Sequence, residues 1–166
     1  PDFTMGWNNN FTYKNFGLSF LINARVGGIV TSSTQALLDR FGVSKASADA
    51  RDAGGVMIPN QGLYDAKKYY TLIATGENDL AGYYTYSATN VRLQELTFSY
   101  KFNSRLFNNV IKDLTLSFVA TNPWMIYCKA PFDPELTAST GTYGQGNDYF
   151  MQPSLKSYGF SVKFKF

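Results

Sequence analysis

The sequence predicts an all-β fold made of long antiparallel strands, of the kind that walls a membrane β-barrel. Three observations predict it. Five stretches, at about 3–13, 16–26, 89–102, 114–124 and 155–166, alternate apolar and polar residues with period 2, which puts one set on each face of a strand. Short links alternate with two long loops, at about 27–86 and 125–154. The last stretch sets an aromatic or aliphatic residue at every second position and ends on Phe166.

The elements follow in order. Phe3, Met5, Trp7, Phe11 and Tyr13 share one parity of the first strand, and Lys14-Asn15 breaks it. Leu18, Phe20, Ile22, Ala24 and Val26 share one parity of the second, with Leu21 as the mismatch, so the two runs read as a hairpin. In the first long loop Ser33 is a candidate cap for a helix over 34–40, and Ser44 for another through Arg51, stopped by Gly54-Gly55. The third strand is clean at Leu96, Phe98, Tyr100 and Phe102, but Val91 and Leu93 lie on the opposite parity. Either a bulge near Gln94-Glu95 shifts the register, or the two halves face different surroundings. Leu114, Leu116, Phe118 and Ala120 define the fourth strand, whose upper end Pro123 and Trp124 mark. Tyr158, Phe160, Val162, Phe164 and Phe166 define the last.

Composition narrows the function. Of 166 residues, 45% are hydrophobic, 17% aromatic and 16% charged, against about 25% charged in an average soluble domain. Mean hydropathy is only −0.20, so the apolar residues are dispersed; none of their runs approaches the ~18 residues of a spanning helix. The absence of histidine excludes a Ser-His-Asp or Cys-His centre and any histidine-ligated metal within the chain. One cysteine, Cys128, permits no internal disulfide. A net charge of +3 without a basic cluster beyond Lys67-Lys68 gives no support to nucleic-acid binding. No enzyme activity, metal or cofactor is expected.

The expected strands are about as long as the ~9–11 residues a tilted membrane strand needs. Aromatics gather toward strand ends at Trp7, Tyr100, Phe102, Trp124, Phe164 and Phe166, as in interfacial girdles. Asn23, Arg25, Thr115, Ser117, Ser161, Lys163 and Lys165 would then face a wet lumen, with outer-membrane lipid on the other face. A soluble glycan-binding β-sandwich predicts the same alternation, with a core in place of lipid. Five strands cannot close a barrel, since the smallest has about eight. The barrel reading therefore makes the chain a segment of a longer polypeptide, in keeping with a start at Pro1 without a signal peptide.

More specific segments are 34–39, 42–44 and 50–56 in the first long loop, and 88–96 with Ser99-Tyr100 in the next strand. Asn122-Pro123, Phe132-Asp133-Pro134-Glu135 and Gln152-Pro153 follow in order. Together they span nearly the whole chain and resemble the C-terminal part of SusC-like TonB-dependent outer-membrane transporters of Bacteroidetes, the starch-oligosaccharide importers of that family most of all. The resemblance implies the last five strands of a 22-stranded barrel plugged by an N-terminal domain, with both long loops outside the cell. It implies uptake of glycans, in particular malto-oligosaccharides, or of oligopeptides in other members. The implied partners are a SusD-like surface lipoprotein, TonB acting through the N-terminal part, and the barrel assembly machinery. Phe132, Tyr143, Tyr149 and Phe150 are the candidate ligand or lid contacts, and Asp133 with Glu135 a candidate loop-fixing pair. Tyr158, Phe160, Val162, Phe164 and Phe166 resemble the assembly signal of outer-membrane barrels.

Overall fold

A computed structural model describes residues 1–75, 82–103, 112–136, 141 and 144–165. Contacts divide the chain into two units, one of residues 1–28, 88–133 and 153–166, the other of residues 29–87 and 134–152.

The first unit is one antiparallel sheet. Its strands are β1 (Phe3–Tyr13), β2 (Phe16–Val26), β7 (Asn90–Lys101), β8 (Lys112–Cys128) and β10 (Ser157–Lys165), paired in that order. Lys14 and Asn15 form the two-residue turn between β1 and β2, and Lys14 takes the left-handed φ of 53° that so tight a link requires. Gly27 ends β2 at φ 78°, where a Cβ would lie 2.1 Å from an Asp2 carboxylate oxygen.

Two points on the third and fourth strands differ from a plain reading of the alternation. The pairing of β2 with β7 skips Gln94: Leu21 faces Glu95 and Ile22 faces Leu93. A bulge therefore returns Val91 and Leu93 to the same face as Leu96 and Phe98. On β8, Pro123 does not end the strand, which runs on to Cys128. Asn122 adopts φ 49° and the β7–β8 register breaks at this point, so the proline occupies an irregularity where no ladder N–H is needed.

The second unit is mixed. β3 (Ile29–Ser32) leads into α1 (Ser33–Arg40) and α2 (Lys45–Asp52), then the hairpin β4 (Val56–Ile58) and β5 (Gly62–Tyr64), α3 (Ala66–Thr75) and β6 (Thr85–Ser87). β9 (Asn147–Asp148), from the second long loop, pairs in parallel with β3, which also pairs with β6. The cap of α1 is Ser32 and not Ser33: its hydroxyl accepts from the Gln35 N–H at 3.1 Å and donates to Asp148 at 2.7 Å. Ser44 caps α2, accepting from the Ser47 N–H at 3.0 Å. Buried Tyr70, Ile73 and Tyr84 form the core, with Ala36, Ala50, Val56, Tyr69 and Ala74 packed against it.

Candidate functional site

The sheet register turns alternation into two surfaces. Directly paired residues share a face, so Phe11, Leu18, Phe98, Phe118 and Phe160 form one unbroken row across all five strands. Tyr13, Phe16, Tyr100, Leu116 and Val162 form the next. Trp7, Ile22, Leu93 and Trp124 fall in a third, so the two tryptophans share a row that the bulge at Gln94 makes continuous. Trp7 lies in the middle of β1, not at its end. Phe160 is 86% exposed and Trp124 61%. Leaving such a side chain in water forfeits about 1.5–3 kcal/mol relative to burial, and a contiguous apolar face of this extent marks an interface with something apolar.

The opposite face is polar. Thr12, Gly17, Ser99, Ser117 and Ser161 form one row, and Asn8, Leu21, Glu95, Thr121 and Ser157 another. The bulged Gln94 accepts a hydrogen bond from the Asn23 amide on this face. Arg25, Arg92, Glu95, Lys101 and Lys163 all belong here by register, and none of the paired residues of the apolar rows is charged. Within the sheet unit, no second sheet pairs with these strands among the described residues.

The places where the chain leaves and re-enters the sheet are pinned. At the first, Ala88 N–H donates to Gly28 O at 3.0 Å and Gly27 N–H to Thr89 Oγ1 at 3.0 Å. At the second, Arg92 Nη2 lies 2.6 Å from Asp133 Oδ1, with the two side chains 5% and 8% exposed. Arg92 Nη1 also donates to Ser154 Oγ at 3.3 Å, and Ser154 N–H to Asp133 Oδ2 at 3.4 Å. Asp133 thus joins an arginine on β7 to a serine before β10. Cys128 lies beside this network, its thiol donating to Ala130 O at 3.3 Å.

In the second unit Asp39 is buried and accepts from the Tyr84 hydroxyl at 2.9 Å. Burial, and then the Asp39 carboxylate, raise the Tyr84 hydroxyl far above the ordinary tyrosine range. Tyr83 is pushed up to about 12 by burial and by neighbouring Tyr69. Of the candidate contacts, Tyr149 and Phe150 lie together, ring centroids 5.3 Å apart and edge to face, and both are more than half exposed. Phe150 has φ 50°, an outlier for a bulky residue, and its N–H donates to Thr34 Oγ1 at 2.6 Å. Phe132 belongs to the sheet unit and is half-buried, close in sequence to Asp133. Tyr143 lies outside the described residues. Tyr158, Phe160, Val162 and Phe164 project from the apolar face of β10, each at least half exposed, and Phe166 lies outside the described residues.

No family model matches the chain. The chain is 26% identical over 172 residues to TonB-dependent receptor P3 of Formosa agariphila, an alignment covering 100% of this chain and 16% of that receptor. It is a distant relative of a TonB-dependent receptor. Its fold is also similar to a chain in the structure of the RagAB peptide transporter, with a TM-score of 0.55 and 17% identity over 96% of this chain and 16% of that one. The chain thus spans about a sixth of the length of either relative. TonB-dependent receptors reside in the outer membrane and are transporters, not enzymes. The five-stranded antiparallel sheet thus matches part of the barrel of a TonB-dependent transporter in fold.

Proposed function

We propose that this chain is the last five strands and the last two long extracellular loops of a 22-stranded, plugged, TonB-driven importer of large nutrients. The observation that carries the reading is the sheet itself: five long strands with an uncharged aromatic face, a hydrophilic opposite face, and β1 and β10 as its two edges. An outward-facing apolar band around a polar interior is what a lipid-embedded, water-lined barrel requires. In this reading β10 runs toward the periplasm, and the insertions after β2 and β8 emerge outside the cell. A SusD-like lipoprotein covers them, and TonB acts on the plug.

The cargo we propose is a glycan, in particular a malto-oligosaccharide. Sugar rings stack on aromatic faces, and the exposed Tyr149–Phe150 pair offers two such faces on a backbone held in a left-handed conformation. Phe132 and Tyr143 complete the proposed contact set. The similarity to the RagAB peptide transporter favours a second reading, in which the cargo is an oligopeptide. Uptake of maltoheptaose and of an oligopeptide by cells with and without the receptor, each with and without TonB, tests both. TonB-dependent uptake of maltoheptaose is expected; uptake of the peptide alone assigns the second reading, and uptake of neither overturns both.

The terminal strand also serves assembly in this proposal, through Tyr158, Phe160, Val162, Phe164 and Phe166 as the signal read by the barrel assembly machinery. Deleting Phe166 is expected to lower the amount of heat-modifiable barrel in the outer membrane, and unchanged levels would exclude the role.

A further inference from the structure

The inserted unit holds a cleft of about 410 Å³ between the C-terminal end of α1, the helix α2 and the N-terminal end of α3. Its wall carries Arg40, Arg51 and Lys67, three cations drawn from three different helices. Among the described residues neither Arg40 nor Lys67 makes an ion pair. Arg51 has only its neighbour Asp52, at 3.6 Å and in open solvent, a pairing that contributes little.

Each acidic residue of the lining holds a hydrogen bond, and the second oxygen of Asp39 is buried without a partner among the described residues. Asp39 is 2% exposed and turns one oxygen to the Tyr84 hydroxyl. Asp65 caps α3, accepting from the Lys68 N–H at 2.8 Å. The first turn of α3, at Ala66 and Lys67, adds the positive end of a ten-residue helix to the same wall. Apolar surface completes the cleft: Phe41 at 72% exposure on the rim and Tyr70, nearly buried, deeper in. Gly42, at the end of α1, has open space where a side chain would stand.

We propose that this cleft is a binding subsite for a carboxylate on the transported molecule, with Arg40, Arg51 and Lys67 pairing the anion and Phe41 covering the adjoining apolar part. The proposal rests on the transport function above but not on its malto-oligosaccharide cargo, since a neutral glucan has no carboxylate; it calls for an acidic glycan or for the oligopeptide of the second reading. A uronic-acid glycan and a peptide with a free C-terminus present the same group, so the two sources are separated by the probes.

The receptor carrying this chain, purified in detergent, is titrated calorimetrically with four probes: trigalacturonate, its methyl ester, N-acetyl-penta-alanine and N-acetyl-penta-alanine amide. At least one acid is expected to bind about tenfold or more tighter than its uncharged twin, the scale of one charge-assisted contact, and to weaken with salt. Preference within the sugar pair assigns a uronic acid, and preference within the peptide pair assigns a C-terminal carboxylate. In the Arg40→Gln/Lys67→Gln variant the preference is expected to vanish, while binding of the uncharged twins and heat-modifiable mobility stay unchanged. The single Lys67→Arg variant should keep the preference. Equal binding of each acid and its twin, a preference that survives the double substitution, or no binding of any probe overturns the proposal. TonB-dependent uptake of maltoheptaose that is unchanged in the double variant would, in those cases, leave the transport function standing.

Discussion

The sheet and the inserted unit use the same apolar alphabet against different solvents. In the sheet, Phe11, Phe98 and Phe160 stay exposed on one face, the face that the proposed barrel turns to lipid. In the inserted unit, Tyr70, Ile73 and Tyr84 point inward and exclude water by packing on one another. Charge is held differently too: the sheet unit pairs its buried carboxylate, Asp133, with Arg92, whereas the inserted unit sets buried Asp39 against a tyrosine hydroxyl. A substitution therefore has to be judged by which solvent its side chain meets, and the two units are expected to respond differently to the same chemistry.

The largest contrast is expected at the pinned neck of the sheet. Asp133→Ala leaves the Arg92 guanidinium buried without its carboxylate, and removal of one member of a buried pair costs about 3–5 kcal/mol. Urea unfolding of the receptor in lipid should show this loss, and Arg92→Ala combined with Asp133→Ala should recover part of it. Next in size is charge on the apolar face. Phe118→Arg is expected to lower folding into lipid vesicles by about 2–4 kcal/mol, whereas Ser117→Arg, one residue along on the polar face, should fold normally. Equal effects would reverse the assignment of faces.

The inserted unit should show smaller effects that do not depend on lipid. Tyr84→Phe removes the hydroxyl that Asp39 accepts from and is expected to cost about 1–3 kcal/mol, read by hydrogen exchange in α1 and α3. The same tyrosines make the unit sensitive to alkali. Tyr83 and Tyr84 hold their protons more tightly when folded than the unfolded value of 10.0 allows, so stability is intact below about pH 10 and is lost as pH rises toward 12 and beyond. Tyrosinate absorbance and hydrogen exchange followed together should show ionisation and opening as one event. The smallest effect is the cap: Ser44→Ala should destabilise α2 by about 1 kcal/mol, seen as faster exchange at Ser47.

Much of the sheet was legible because a strand with two different faces writes its geometry as period 2. The bulge was visible as a parity conflict at Val91 and Leu93, but parity alone could not distinguish a register shift from a change of surroundings. The β2–β7 pairing decided it. Pro123 misled the reading of β8, because a proline is compatible with a strand at an irregularity, and an irregularity depends on the partner strand. α3 went unread although it carries a signal: Asp65 as a cap, followed by Ala66, Tyr70 and Ile73 at helical spacing. The helices around Arg40, Arg51 and Lys67 gave no hint of a cleft, since the three cations are far apart in the chain.

The sequence by itself determined the long strands, their two faces and the absence of any histidine-dependent centre, because those depend on local periodicity and on which side chains exist. The tertiary structure alone decided the cross-strand rows, the Arg92–Asp133 neck and the cationic cleft. Each of these depends on which distant residues meet, and pairing between segments separated by tens of residues leaves no periodic mark on either one.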